Sequence, residues 1–230
     1  MTSAGIELLT AEVAAALPRL PGELVDLVHV DGPWTYDNGS GRDVGELSIN
    51  GAQSRRYGGL SVEAIAADLV AAYRVAKPDA YALAWVTWPF LMPFAFELGR
   101  LYHAGKLPWE PLSGGAWGKL GGPGIGFHWR GKSEPVLLFR KGRPKPHRDD
   151  TENLWLTRRD EHSEKPLEAL VAMTTTFSPP GGMVLDLYSG LAPLARVCAS
   201  HRRRYLGIEA SASRNADALR ALRLHLECIR

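Results

Sequence analysis

VLDLYSGLAPLARVCASHRRRYLGIEAS, residues 184–211, is the stretch on which the fold turns. An apolar run ends at Asp186, and a turn of small residues follows through Tyr188, Ser189 and Gly190. A helical apolar pattern starts near Ala192, and a second apolar run ends at Glu209. Open α/β sheets hold a nucleoside with this order of parts: the turn lets a ligand approach the backbone, and an acid about twenty residues on accepts hydrogen bonds from ribose hydroxyls. An ordinary β-α-β unit with a tight turn satisfies the same residues.

The same alternation continues outward on the N-terminal side. LVDLVHV, AYALAWV and GMVLDLY read as buried strands. SVEAIAADLVAAYRVA reads as a helix capped by Ser61, with Glu63 in its first turn. PFLMPFAFELGRLYHAG, KPLEALVAMTTTF, APLARVCASH and SRNADALRALRLHLECI are further helices, and RRYLGIEA and ENLWLT further strands. Residues 112–148 hold two strand-like runs around a Gly-rich loop. The expectation is an α/β fold with a doubly wound, mostly parallel sheet. A short helix over Glu7–Ala16 and a linker fill residues 1–24, and residues 25–230 form the main domain.

A chain of 230 residues with 45% hydrophobic and 23% charged residues can bury one sizeable core. Its net charge of +2 neither demands nor excludes a polyanionic partner, so local clustering must decide. Two cysteines, Cys198 and Cys228, make neither a disulfide framework nor a metal site. The N-terminus has no basic region ahead of an apolar one, and the uncharged stretch Ala80–Phe96 is interrupted by Pro89 and Pro93. The reading is a cytoplasmic protein without a membrane span. The most basic stretch carries Lys119, Arg130, Lys132, Arg140, Lys141, Arg143, Lys145 and Arg148, either a solvated loop or a phosphate-facing surface.

At Asp31-Gly32-Pro33-Trp34 the strand LVDLVHV delivers a carboxylate, a turn and an indole to one point. That set suits an exocyclic amine of adenine, a poor nucleophile because its lone pair is delocalised into the ring. A carboxylate and a backbone carbonyl can accept both of its hydrogens and hold the nitrogen in line with an activated methyl group. Pro33 stiffens the turn, and Trp34 offers a stacking face. A plain turn with a core tryptophan is the other reading of these four residues.

DGPW and TYDN are followed in order by RRYGGLSVEAI, LAWVTWP, EPVLLFRKGRP, EHSEKPLEAL and LDLYSG…YLGIE. In this the chain resembles the adenine-N6 methyltransferases with an Asp-Pro-Pro-Trp motif, a family of phage and bacterial DNA-adenine enzymes and eukaryotic mRNA adenosine methyltransferases. The resemblance covers roughly Val25 to Ala210. It implies S-adenosylmethionine as cofactor, with the catalytic motif ahead of the cofactor motif, a permuted order. It makes Asp31 the acceptor for the target amine, with Gly32 giving the carbonyl, Pro33 the turn and Trp34 the stacking surface. It assigns Lys141, His162, Ser163, Lys165, Asp186, Tyr188, Ser189, Gly190 and Glu209 to the cofactor, and Tyr36, Arg55, Arg56, Tyr57 and Arg143 to the nucleic acid. No metal is implied.

Two residues depart from that pattern: Gly32 stands where the family has its first proline, and Ala192 where it has a second glycine. Neither removes a group that does chemistry. The resemblance implies DNA as partner, with the target adenine flipped out of the duplex and read by the loops at Thr35–Gly59 and Gly114–Arg148. RNA is the alternative substrate, and a non-catalytic subunit of the same fold the alternative from another class. Oligomeric state stays open.

Overall fold

The computed structural model describes residues 5–34, 59–121, 130–158 and 165–228. Its eight strands are β1 (Ile6–Thr10), β2 (Val25–Asp31), β3 (Ala76–Trp85), β4 (Glu110–Leu120), β5 (Ser133–Arg140), β6 (Leu154–Arg158), β7 (Met183–Asp186) and β8 (Arg204–Glu209). They form one sheet in the order β1-β8-β7-β2-β3-β5-β4-β6. Pairing is parallel except where β5 meets β3 and β4. The mostly parallel α/β sheet expected from the alternation is therefore present.

Helices α1 (Val13–Ala16), α2 (Val62–Val75) and α3 (Trp88–His103) cover one face of the sheet. Helices α4 (Leu167–Phe177), α5 (Pro193–Ser200) and α6 (Ala212–Cys228) cover the other. The apolar spacing of α2 turns Ile65, Leu69 and Ala72 onto the first face, where Val28, Val30, Ala82 and Ala84 are also buried. Leu170, Met173, Leu194 and Leu222 pack on the second face against Leu27, Leu83 and Val184. Strands buried on both sides read as continuous apolar runs, which is why β2 and β3 were visible without alternation. Ser61 caps α2, its hydroxyl accepting from the Ala64 N–H at 3.2 Å.

The N-terminus corrects the sequence reading. Residues 6–10 form a strand in place of the first part of the expected helix, and only Val13–Ala16 is α-helical. β1 pairs in parallel with β8, so this segment belongs to the main sheet and not to a separate unit. Five residues of IELLT alternate poorly, and the helical pattern of the residues after them masked the strand.

Four adjacent strands share a buried polar chain. The indole N–H of Trp85 on β3 donates to His29 Nε2 on β2 at 3.1 Å. Nε2 is thus the acceptor, and Nδ1 carries the proton donated to Asp186 Oδ1 on β7 at 3.0 Å. The hydroxyl of Tyr205 on β8 completes the chain at Asp186 Oδ2, 2.9 Å away. Burial, then the neighbouring Asp186, raises the Tyr205 phenol above its ordinary value and keeps it a donor. Asp186 is 2% exposed, with one carboxylate oxygen held by His29 and the other by Tyr205.

Replacing Asp186 by Ala leaves two buried donors without an acceptor. We expect a loss of roughly 2–5 kcal/mol of folding stability by urea denaturation, with Asp186→Asn costing less because one carbonyl acceptor remains.

Candidate active site

The chain leaves β2 for β3 in one direction along the sheet, and leaves β7 for β8 in the other. The strand order reverses between β7 and β2, and in open α/β sheets ligands bind outside the carboxyl ends at such a switch point. Asp31 ends β2 there, and the turn Tyr188-Ser189-Gly190 follows β7.

That second turn is held by backbone and carboxylate together. The Leu187 N–H donates to His29 O and the Ser189 N–H to Ile208 O. Gly190 has φ +56, where a Cβ would come within 2.9 Å of the Arg214 guanidinium. Glu209 accepts from the Gly190 N–H at 3.0 Å and from the Ser211 N–H at 2.8 Å, tying the turns after β7 and β8 to one carboxylate. Ala192 adopts the left-handed conformation itself, φ 54 and ψ 50, with its side chain in the core. The departure from glycine thus keeps the glycine geometry, at a cost of about 1–2 kcal/mol in backbone strain. The Tyr188 hydroxyl donates to Asp68 on α2 at 2.6 Å. Burial, then Asp68, pushes the Tyr188 phenol upward.

Asp31 stands in a four-membered charge network. Lys165 Nζ lies 2.8 Å from each Asp31 carboxylate oxygen, 3.1 Å from Glu134 Oε1 on β5, and 5.3 Å from the centroid of the Trp85 ring beneath it. Lys119 on β4 meets the other Glu134 oxygen at 3.0 Å. Two cations thus balance two anions. Burial alone would raise Glu134, but Lys165 and then Lys119 outweigh it and hold it down to about 2. For Lys165, burial pulls its basicity down, and Asp31 and Glu134 more than reverse it. The Asp31 side chain is 29% exposed against 10% for Lys165, so the carboxylate is the part that reaches the crevice.

The motif turn explains its own glycine. A Cβ on Gly32 would lie 2.5 Å from Ile65 Cδ1, a fully buried side chain of α2. Ile65 thus occupies the space that the family's proline would need. The Trp34 N–H donates to Gly32 O at 3.0 Å and the Leu60 N–H to Pro33 O at 2.7 Å. Gly32 O keeps one lone pair.

Several expected site residues stand elsewhere. Trp34 is 6% exposed, stacked on Phe90 at 5.3 Å and edge-on to Phe94, so the open stacking face expected of it is in the core. Lys165 grips Asp31, where a cofactor contact was expected. Lys141 donates to Tyr73 O and Ala76 O at the C-terminus of α2, and the Arg143 N–H donates to Asp79. Both follow β5, which runs antiparallel to β3 and carries them toward the opposite end of the strands. Within Gly114–Arg148, expected as a readout loop, residues 114–120 belong to β4 and residues 133–140 to β5. Tyr36, Arg55, Arg56, Tyr57, His162 and Ser163 lie outside the described residues. Glu134 and His29 were missed, and the available signal was a lone charged or polar residue within the apolar runs EPVLLF and LVHV.

No protein-family model matches the chain, and no curated protein matches its sequence. Solved structures do match its fold. The M1.HpyAVI–SAM complex superposes with a TM-score of 0.66 at 15% identity, over 94% of this chain and 99% of that one. TTHA0409 of Thermus thermophilus, complexed with S-adenosyl-L-methionine, gives 0.70 at 18% identity over 95% and 93%. The cytosine-N4-specific PvuII DNA methyltransferase gives 0.72 at 14% identity over 95% and 86%. The chain has the fold these methyltransferase structures share.

Gly32→Ala should cost about 1–3 kcal/mol of stability through overpacking, and Ile65→Val, which removes the clashing Cδ1, should restore most of it; paired urea titrations measure both. Glu134 sits below its ordinary value of 4.5 in the folded state, so its contribution is complete above that pH and is lost as pH falls toward about 2. The Glu134→Gln protein should therefore show a shallower fall in stability across that interval.

Proposed function

We propose that this chain is an S-adenosylmethionine-dependent DNA methyltransferase acting on the exocyclic N6 amine of adenine. The observation that carries the reading is the Asp31-Gly32 end of β2, where a lysine-held carboxylate and a backbone carbonyl stand together at the switch point.

The crevice residues fit the cofactor. At Gly190 a Cβ would come within 2.9 Å of the Arg214 guanidinium, and the Ala192 side chain is buried in the core. Each Glu209 oxygen takes one backbone N–H and keeps lone pairs for ribose hydroxyls. When bound, S-adenosylmethionine supplies an electrophilic methyl group.

The chain's own residues prepare the nucleophile. Asp31 and Gly32 O accept the two amine hydrogens, which fixes the nitrogen's orientation and directs its lone pair out of conjugation with the ring. Lys165 holds both Asp31 oxygens in place and is itself held by Glu134, so the acceptor is set before the base arrives. Pro33 and the core-bound Trp34 anchor the turn. The N4 amine of cytosine offers the same pair of hydrogens, and the fold is shared with a cytosine-N4-specific enzyme, which makes that base the second reading.

Methyl transfer from radiolabelled cofactor to duplex DNA, single-stranded DNA and RNA, with digestion to nucleosides, tests the reading: label in N6-methyladenine is expected, and label in N4-methylcytosine would overturn the choice of base. Asp31→Asn should lower turnover at least about a hundredfold, roughly 2.7 kcal/mol of transition-state stabilisation, while calorimetry finds cofactor binding nearly unchanged. Near-normal turnover by that protein would make the turn structural only.

A further inference from the structure

Helix α3 opens with WPFLMPFAF, residues 88–96, a stretch without a charged side chain. Phe94 enters the core with Phe90 and Leu91 packed beside it, while Trp88, Met92 and Phe96 recur every fourth residue along the outer face. Trp88 is 52% exposed, and Met92 and Phe96 are 77% exposed each. The other exposed residues of these turns are Pro89, Pro93 and Ala95, so the helix presents an apolar ridge to solvent. A helix that covers a sheet ordinarily turns a polar face outward.

Beside the ridge lies exposed sheet. The Trp88 indole N–H donates to Ser133 Oγ on β5 at 2.9 Å. Ser133 stands opposite Gly118 on β4, and Gly118 stands opposite Leu156 on β6. Residues directly opposite share a face, so Gly118 and Leu156 are on the α3 side, as are Ala116 and Leu154 two residues before them. Gly114, Ala116 and Gly118 make a floor almost without side chains, and Leu156 occupies the space that a Cβ on Gly118 would need. Leu120, Leu154 and Leu156 border that floor, each about half exposed.

We infer that this face joins two copies of the chain, with the α3 ridge of one seated on the β4–β6 floor of the other. A two-fold interface needs a patch complementary to itself, and here a raised aromatic stripe and a flat glycine floor stand side by side. The ridge carries no charge, so it meets a second copy without like-charge repulsion and offers nothing to a polyanion. Helices that lie on lipid carry Lys or Arg on a free polar face, whereas the other face of α3 is in the core. Aromatic side chains of about 150–250 Å², scaled by these exposures and joined by Met92 and the three leucines, give on the order of 600 Å² of apolar surface. A standard interface takes about 800 Å² from each partner, so these six side chains supply most of one. The inference does not depend on the chemistry of the crevice.

Sedimentation velocity from low to high micromolar concentration tests it, and a species of twice the chain's mass is expected. Phe96→Lys on the ridge and Leu156→Glu on the floor should each raise the dimer dissociation constant at least about thirtyfold, as loss of a central anchor does. Both positions are exposed, so urea midpoints measured on dilute monomer should stay near that of wild type. Mixing the two variants sets lysine against glutamate at one ridge-to-floor contact and leaves the other native, so the mixture should dimerise more tightly than either variant alone. A wild type that stays monomeric overturns the inference, and one that instead floats with phosphatidylcholine vesicles assigns the face to lipid. A dimer undisturbed by both substitutions, or a mixture no tighter than its components, overturns it as well.

Discussion

One ammonium organises the candidate site. Lys165 reaches across β3 over the Trp85 ring to join Asp31 on β2 to Glu134 on β5, strands that do not pair with each other. Removing Lys165 would leave Asp31 without its cation and Glu134 with Lys119 alone, and breaking a buried pair typically costs about 3–5 kcal/mol. The Asp31 turn is therefore fastened to the antiparallel half of the sheet as well as to its own strand. Pro33 and Trp34 fix the turn from the opposite face, through Leu60 and the aromatic rings of α3.

The two departures from the family pattern have different physical bases. Gly32 is matched to Ile65, so helix and turn interlock where proline would collide. Ala192 bears a conformational cost to keep the backbone path of a glycine.

Sequence patterning made most of the fold legible because buried strands and amphipathic helices have distinct periods, and the end of β2 and the turn after β7 were found as strand-end motifs. Long-range pairing was not legible. Asp186 sits in a motif whose spacing suggests a ligand contact, yet its carboxylate belongs to residues 157 positions earlier and 19 later. Lys141 and Arg143 were assigned to the site by motif, and the antiparallel direction of β5 places them toward the far end of the strands. Direction within a sheet is a property of pairing, which local sequence does not contain. The strand at Ile6–Thr10 was lost for the same reason, since its stability comes from β8.

The Trp85–His29–Asp186–Tyr205 chain also acts as an alignment key for the central strands. His29 lies opposite Asp186, and side chains of a strand alternate between faces. A slip of β7 by one residue against β2 would set Leu185 opposite His29 and turn the carboxylate to the aliphatic face beneath α2. The imidazole N–H, the phenol and the carboxylate would then all be buried without partners, a penalty that apolar strands sliding past one another would not incur. Four polar side chains therefore specify which of several greasy registers is the native one, and with it the relative height of Asp31 and the Gly190 turn.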